Sequence, residues 1–160
     1  MSNLEHAQKW ADALGNDVEA LVALYADYPT IQFGKIEDHE VDTLTDADMI
    51  REQLGPISAG ENGKYTFTAT EWLGKEKFGL IHWDVTIEGA STFRGIPTEG
   101  KTLTGTGSTY QEFDDQGKIL RENTYWEDNR IFEQLGIALM RPHYWEEDFD
   151  MEAFLAEAAG

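Results

Sequence analysis

The stretch from Lys101 to Trp126 constrains this chain more than any other. Residues 101–113 are rich in Thr, Ser and Tyr, with β-branched side chains recurring at period two, the pattern of a long strand. Asp114-Asp115-Gln116-Gly117 follows as a turn in which Gly117 is free to take a positive φ. Ile119 to Trp126 is then the returning strand. Ahead of this hairpin, Gly95, Pro97 and Gly100 form a bend that no strand or helix runs through. Behind it, Ile131, Phe132 and Leu135 make a helical turn that stops at Gly136.

The remainder reads in order as helices and then strands. Ser2 or Asn3 can cap a first helix with Ala7, Trp10, Ala11 and Leu14 on one face, stopped by Gly15-Asn16. Asp17 caps a second helix carrying Val18, Leu21, Val22 and Tyr25 on one stripe, and Pro29 ends it. A short strand at Thr30 to Phe33 and an acidic, irregular segment at Lys35 to Leu44 come next. Thr45 with Asp48 opens a short third helix through Leu54, broken by Gly55-Pro56, and residues 58–63 form a loop placed to lie over a cavity mouth. Lys64 to Leu73 and Phe78 to Ile87 alternate as strands on either side of a turn at Gly74 to Lys77. Helices first and long strands after point to an α+β fold with a curved, mostly antiparallel sheet, not to a parallel sheet of βαβ units.

Length and charge set the class. A chain of 160 residues makes one domain with a core of useful size. Its 31 acids against 12 bases give a net charge of −19, which repels nucleic acid and anionic membranes as partners. There is no cysteine, and so neither a disulfide framework nor a thiolate metal site. No apolar run approaches the ~20 residues of a membrane span, and MSNLEHAQKW lacks the regions of a signal peptide, so a cytoplasmic location is expected. Aromatic residues make up 12% of the chain, enough to line an apolar pocket as well as to fill a core.

Several motifs in series resemble a known family. Phe93-x-Gly95-Ile96-Pro97-x-x-Gly100-Lys101, the Asp114-x-x-Gly117-Lys118-Ile119 hairpin, the aromatic pair Tyr125-Trp126 before Glu127 and the closing Gln134-Leu135-Gly136 are similar to the SnoaL-like polyketide cyclases. These belong to the nuclear-transport-factor-2-like superfamily, with the ketosteroid isomerases and limonene epoxide hydrolase. Residues 1–160 are read as a single domain of this kind, with residues 140–160 an acidic C-terminal extension beyond the common family length. The resemblance implies a cone-shaped sheet wrapped around the N-terminal helices, with a ligand on the concave face.

The resemblance also implies site residues, with departures. The general-base Asp of the isomerases falls at Phe33, whose ring cannot take a proton, and their oxyanion-donor Tyr falls at Trp10. Trp10 is read as a pocket wall with an indole N–H to donate. Tyr25, in the aromatic-Ala-Asp step Tyr25-Ala26-Asp27, joins it as a binding residue. The Arg-x-Asp segment of limonene epoxide hydrolase resembles His82-Trp83-Asp84, while that enzyme's second Asp falls at Thr124, with Glu122 one pleat away. The general acid/base Asp of the SnoaL-like cyclases falls at Glu127, and a His frequent in that family falls at Ser91.

With His82 and Asp84 facing the cone, Leu120, Glu122, Thr124 and Trp126 are their expected neighbours. An imidazole between two carboxylates is a workable acid–base unit, each acid raising its pKa and an apolar surround lowering it. The expected catalytic set is therefore His82, Asp84, Glu122 and Glu127, with Trp10, Tyr25, Thr124 and Trp126 binding substrate. Glu122 and Glu127 differ in strand parity, so a bulge or the strand's end is needed to bring both inside. The opposite row, Ile81, Trp83, Val85 and Ile87, is then convex and calls for a partner, hence a homodimer. His39 with Asp38 and Asp42, and His143 with Glu146 and Glu147, are read as surface groups and not as a metal site.

Without phosphate loop, Schiff-base motif or metal cluster, the expected activity is cofactor-independent acid–base chemistry on an apolar small molecule, of cyclase, isomerase or hydratase/hydrolase type. A non-catalytic binding or accessory protein using the same cavity, and a dimeric assembly module, are the alternatives.

Overall fold

The computed structural model describes residues 3–34, 41–137, 150 and 152–153. Helix α1 (Asn3–Asn16) presents Ala7, Trp10, Ala11 and Leu14 to the core, the stripe its periodicity indicates. Asp17 caps α2 (Val18–Val22), its carboxylate accepting from the amides of Glu19 and Ala20. This helix is shorter than its stripe suggests. The chain leaves it at Ala23, because Tyr25 already belongs to strand β1 (Tyr25–Gly34), which pairs in parallel with the last strand. Pro29 falls within the register shift between Tyr25 and Thr30, where a missing N–H is tolerated.

Strand β2 (Val41–Leu44) pairs antiparallel with β1, and α3 (Ala47–Ser58) follows. Its cap is Asp46, not Thr45, with Asp46 Oδ1 accepting from the Met49 amide at 2.9 Å. The helix runs through Gly55-Pro56 to Ser58. Pro56 stands in its last turn, where it removes one hydrogen bond and interrupts no further turns.

Strands β3 (Lys64–Lys75) and β4 (Phe78–Glu88) form a hairpin; a small hairpin of β5 (Thr92–Phe93) and β6 (Ile96–Pro97) leads into β7 (Leu103–Phe113) and β8 (Ile119–Trp126). Gly117 closes the β7–β8 turn at φ 76°, with Asp114 Oδ1 accepting from the amides of Gln116 and Lys118. Helix α4 (Asp128–Gln134) ends the described sheet domain, and Gly136 stops it at φ 82°. The six-stranded sheet runs β2-β1-β8-β7-β4-β3, antiparallel except between β1 and β8. It is curled without closing, and helices α1, α2 and α3 pack within it. The fold class is the α+β, mostly antiparallel arrangement expected.

The core decides which face of β4 points inward. Ile81, Trp83, Val85 and Ile87 are almost wholly buried against the helices, so this row is concave rather than convex. Burying each such side chain contributes roughly 1.5–3 kcal/mol, whereas burying an unpaired Asp costs several. Trp83 packs edge-on to Phe67 and Trp126 at 5.4 and 4.9 Å between ring centroids. It fits because β7 offers Gly107 opposite it.

Two bulges adjust parity. On β3, Ala69 and Trp72 point inward with Thr70 and Glu71 between them. On β8, Ile119 and Glu122 point inward with Leu120 and Arg121 outside, which turns Leu120 away from the cone it was expected to enter. Among the described residues no helix is long and apolar enough to cross a membrane. Asp38, His39, His143 and nearly all of the acidic 140–160 extension lie outside the described residues.

Candidate active site

Glu122 is the polar centre of the concave face. It is 1% exposed, and its carboxylate is held by neighbours from three strands. Tyr25 Oη donates to Oε2 at 2.9 Å, Gln111 Nε2 donates to the same oxygen at 2.9 Å, and Thr124 Oγ1 donates to Oε1 at 3.3 Å. The Trp10 indole N–H reaches Tyr25 Oη at 3.4 Å, and His6 Nε2 lies 3.1 Å from Gln111 Oε1. Burial pushes the Glu122 carboxyl up to about 7, against the opposing pull of hydrogen bonds from Gln111, Tyr25, Thr124 and Trp10. Tyr25 is raised well above its ordinary value by burial and by the Glu122 charge, while burial lowers His6.

A cavity of about 290 Å³ adjoins this cluster. Apolar side chains from α1, α3, β1 and β2 line most of it, and Tyr65, Phe93 and Trp126 complete the walls. Its polar groups are Gln53, Arg94, the Tyr65 hydroxyl and Thr124. Thr124 therefore links the two: it lines the cavity and bonds Glu122 behind it.

The directions of the hydrogen bonds follow from donor inventory. The Trp83 indole is donor only and reaches Thr109 Oγ1 at 2.9 Å; Thr109 and Thr124 hydroxyls stand 3.0 Å apart. A consistent chain runs Trp83 to Thr109 to Thr124 to Glu122, each hydroxyl accepting one bond and donating the next. Thr124 Oγ1 keeps one lone pair for a ligand in the cavity.

His82 and Asp84 do not face this cavity. With Ile81 and Trp83 turned inward, strict alternation puts both on the outer sheet face, where Asp84 is solvent-exposed. His82 Nδ1 lies 2.8 Å from Ser108 Oγ, on the wall of a shallow outer groove shared with Tyr125 and Glu127. Glu127 is exposed at the junction of β8 and α4, and its amide bonds Thr106 O at 3.0 Å. The expected catalytic set is thus split across the sheet, with Glu122 inside and His82, Asp84 and Glu127 outside. Of the expected binding residues, Thr124 and Trp126 line the cavity, while Trp10 and Tyr25 stand behind it on the carboxylate.

His6, Thr109, Gln111 and Arg94 join the site without belonging to any of the motifs above. A signal existed for three of them. Gly105, Gly107, Thr109 and Gln111 share one parity on β7, and two glycines there imply bulk across from them. His6 sits one turn before Trp10 on α1.

No protein-family model matches the chain, and no curated protein matches it by sequence. Solved structures do. IdmH from Streptomyces antibioticus, provisionally a polyketide cyclase, superposes with a TM-score of 0.66 at 18% identity over 84% of this chain and 99% of its own. The chain shares its fold with solved SnoaL-like and nuclear-transport-factor-2-like structures. A SnoaL-like protein of Shewanella putrefaciens, also provisionally a polyketide cyclase, gives 0.66 at 16% identity over 85% and 87% of the two chains. SalBIII, an epoxide hydrolase/cyclase-like enzyme of pyran ring formation in salinomycin, gives 0.58 at 13% over 79% and 88%. The likeness is one of fold; the chemistry rests on this chain's own residues.

Proposed function

We propose that this SnoaL-like chain is an acid–base enzyme of the cyclase, isomerase or hydratase/hydrolase type, acting on a mostly apolar small molecule in the 290 Å³ cavity. The observation that carries this reading is a buried carboxyl poised near neutrality, Glu122, connected to the cavity through the Thr124 hydroxyl. A general base works best with a pKa near the working pH. A substrate proton passes to Thr124 Oγ1 as the Thr124 proton passes to Glu122 Oε1, leaving an enolate or alkoxide and a neutral acid. The proton then returns to another atom in an isomerisation, or to the new alkoxide after the enolate attacks a carbonyl in a cyclisation.

Ring opening of 5-nitrobenzisoxazole tests this, because a base removes its C–H proton as the N–O bond breaks and the phenoxide formed absorbs light. The rate is expected to rise with pH through a half-point near 7, to fall by about 10²-fold or more in Glu122→Gln, and to survive His82→Ala. Equal rates in wild type and Glu122→Gln would overturn the reading. One observation favours the alternative of binding without turnover: Glu122 is not itself part of the cavity lining.

Homodimerisation belongs to this proposal as well, through a different row from the one first expected. The outer face carries Leu73, 52% exposed, Phe78, 44% exposed, and Tyr125, 57% exposed. Two copies each of charge −19 repel, so dimer formation should strengthen as salt screens them. Sedimentation at low and high ionic strength checks this, and a monomer under both conditions would refute it.

A further inference from the structure

We propose that the cavity takes a ligand with an apolar ring system and a carboxylate, and that Arg94 binds the carboxylate; this rests on the cavity being the ligand site. The chain holds 12 bases against 31 acids, yet one of those bases, Arg94, lines an otherwise mainly apolar cavity. Its guanidinium carbon lies 5.8 Å from the centroid of Phe93, itself a cavity wall. The backbone carries Arg94 there at a cost. At the tip of the β5–β6 hairpin Arg94 has φ 47° and Gly95 φ 79°, a turn that demands left-handed conformation at both positions. Arg is a poor occupant of the first position, where Asn, Asp or Gly would relieve the strain. Strained residues of this kind gather at ligand sites.

The anchoring of the side chain points the same way. Asp128, almost fully buried at the start of α4, pairs with Arg94 Nε at 2.5 Å. Its other oxygen has no hydrogen-bond partner among the described residues, so the pair is not a two-point fork. Among the described residues, Nε is the guanidinium nitrogen with an ion-pair partner. The two terminal nitrogens retain the planar, paired donors that match a carboxylate. Thr124 and Arg94 then supply two polar contacts of opposite character on one apolar cavity: an acceptor for the reacting proton and a cation for the ligand's acid group.

The test uses titration calorimetry with 2-naphthoate and 2-naphthamide, which share an apolar ring system and differ in charge. The field of a −19 protein disfavours an anion, so a preference for naphthoate requires a local cation. Wild type should bind naphthoate at least about tenfold more tightly than naphthamide. Arg94→Gln should abolish that preference, and Arg94→Lys should retain part of it. Because Arg94→Gln leaves Asp128 buried without its partner, Arg94→Gln with Asp128→Asn keeps the locality neutral and should show the same loss. Equal affinity for both probes in wild type, or a naphthoate preference that survives both Arg94→Gln variants, overturns the role of Arg94 and leaves the cavity as a ligand site. Failure of both probes to bind would overturn the cavity reading itself.

Discussion

Replacement of Glu122 by Gln should remove a large part of the chain's pH-dependent stability loss. In the folded protein burial raises this carboxyl from 4.5 to about 7. A raised acid binds its proton more tightly in the native than in the unfolded state, so its contribution is fully present below pH 4.5. It is lost as pH rises through about 7, where the fold must hold a buried charge. The difference between 4.5 and about 7 corresponds to about 3 kcal/mol. Urea midpoints of the wild type should therefore fall over this window, and those of Glu122→Gln should stay nearly level. At alkaline pH the variant should be the more stable protein. Gln111 can turn its amide to offer an oxygen to the new side chain, so the substitution need not leave donors facing each other. Parallel pH profiles for the two proteins would show that the carboxyl does not titrate where its burial places it.

Gly107→Ala should destabilise the fold by about 3 kcal/mol, the upper part of the range for overpacked cores. A methyl group at residue 107 would lie 2.2 Å from the Trp83 ring and 2.6 Å from the Tyr125 carbonyl oxygen. Neither can retreat freely: Trp83 is fully buried with its indole N–H bonded to Thr109, and Tyr125 O belongs to the adjacent strand. Trp83→Leu alone should also destabilise, through the cavity it leaves and the lost bond to Thr109. Combined, the two changes should cost less than their sum, because the smaller side chain makes room for the methyl. Denaturant midpoints of the four proteins of this cycle measure the coupling. Strict additivity would mean that Gly107 and Trp83 are not matched in size.

The elements of the sheet were largely legible, and the facing of β4 was not. Phe78, Leu80 and the Ile81 row make both sides of that strand begin apolar, so either side can be imagined inward. What settled it was the demand for volume: the helices cover the side with Ile81, Trp83, Val85 and Ile87, and His82 and Asp84 go to water. The burial of four large apolar side chains outweighs any acid–base use of His82 and Asp84 on that face. Glu122, and not Glu127, lies on the concave face, a choice the alternation left open, with Leu120 turned away by the bulge beside it.

Taken alone, the sequence determined what depends on neighbouring residues and on totals: the caps at Asp17 and Gly136, the Asp114–Gly117 turn, the two long strands it joins, the α+β order of helices before strands, and the net charge of −19. Local steric and hydrogen-bonding preferences act within a few residues and can be read there. Only the tertiary structure decided the bulges at Thr70 and Leu120, because an extra residue is accommodated by the partner strand and leaves no mark in its own segment. It also decided that a carboxyl on β8 meets side chains from β1 and β7, with Trp10 of α1 behind Tyr25, and that Arg94 and Asp128, distant in sequence, stand side by side. The titration of Glu122 is set by that enclosure, since burial and donated hydrogen bonds come from groups that only folding brings within reach.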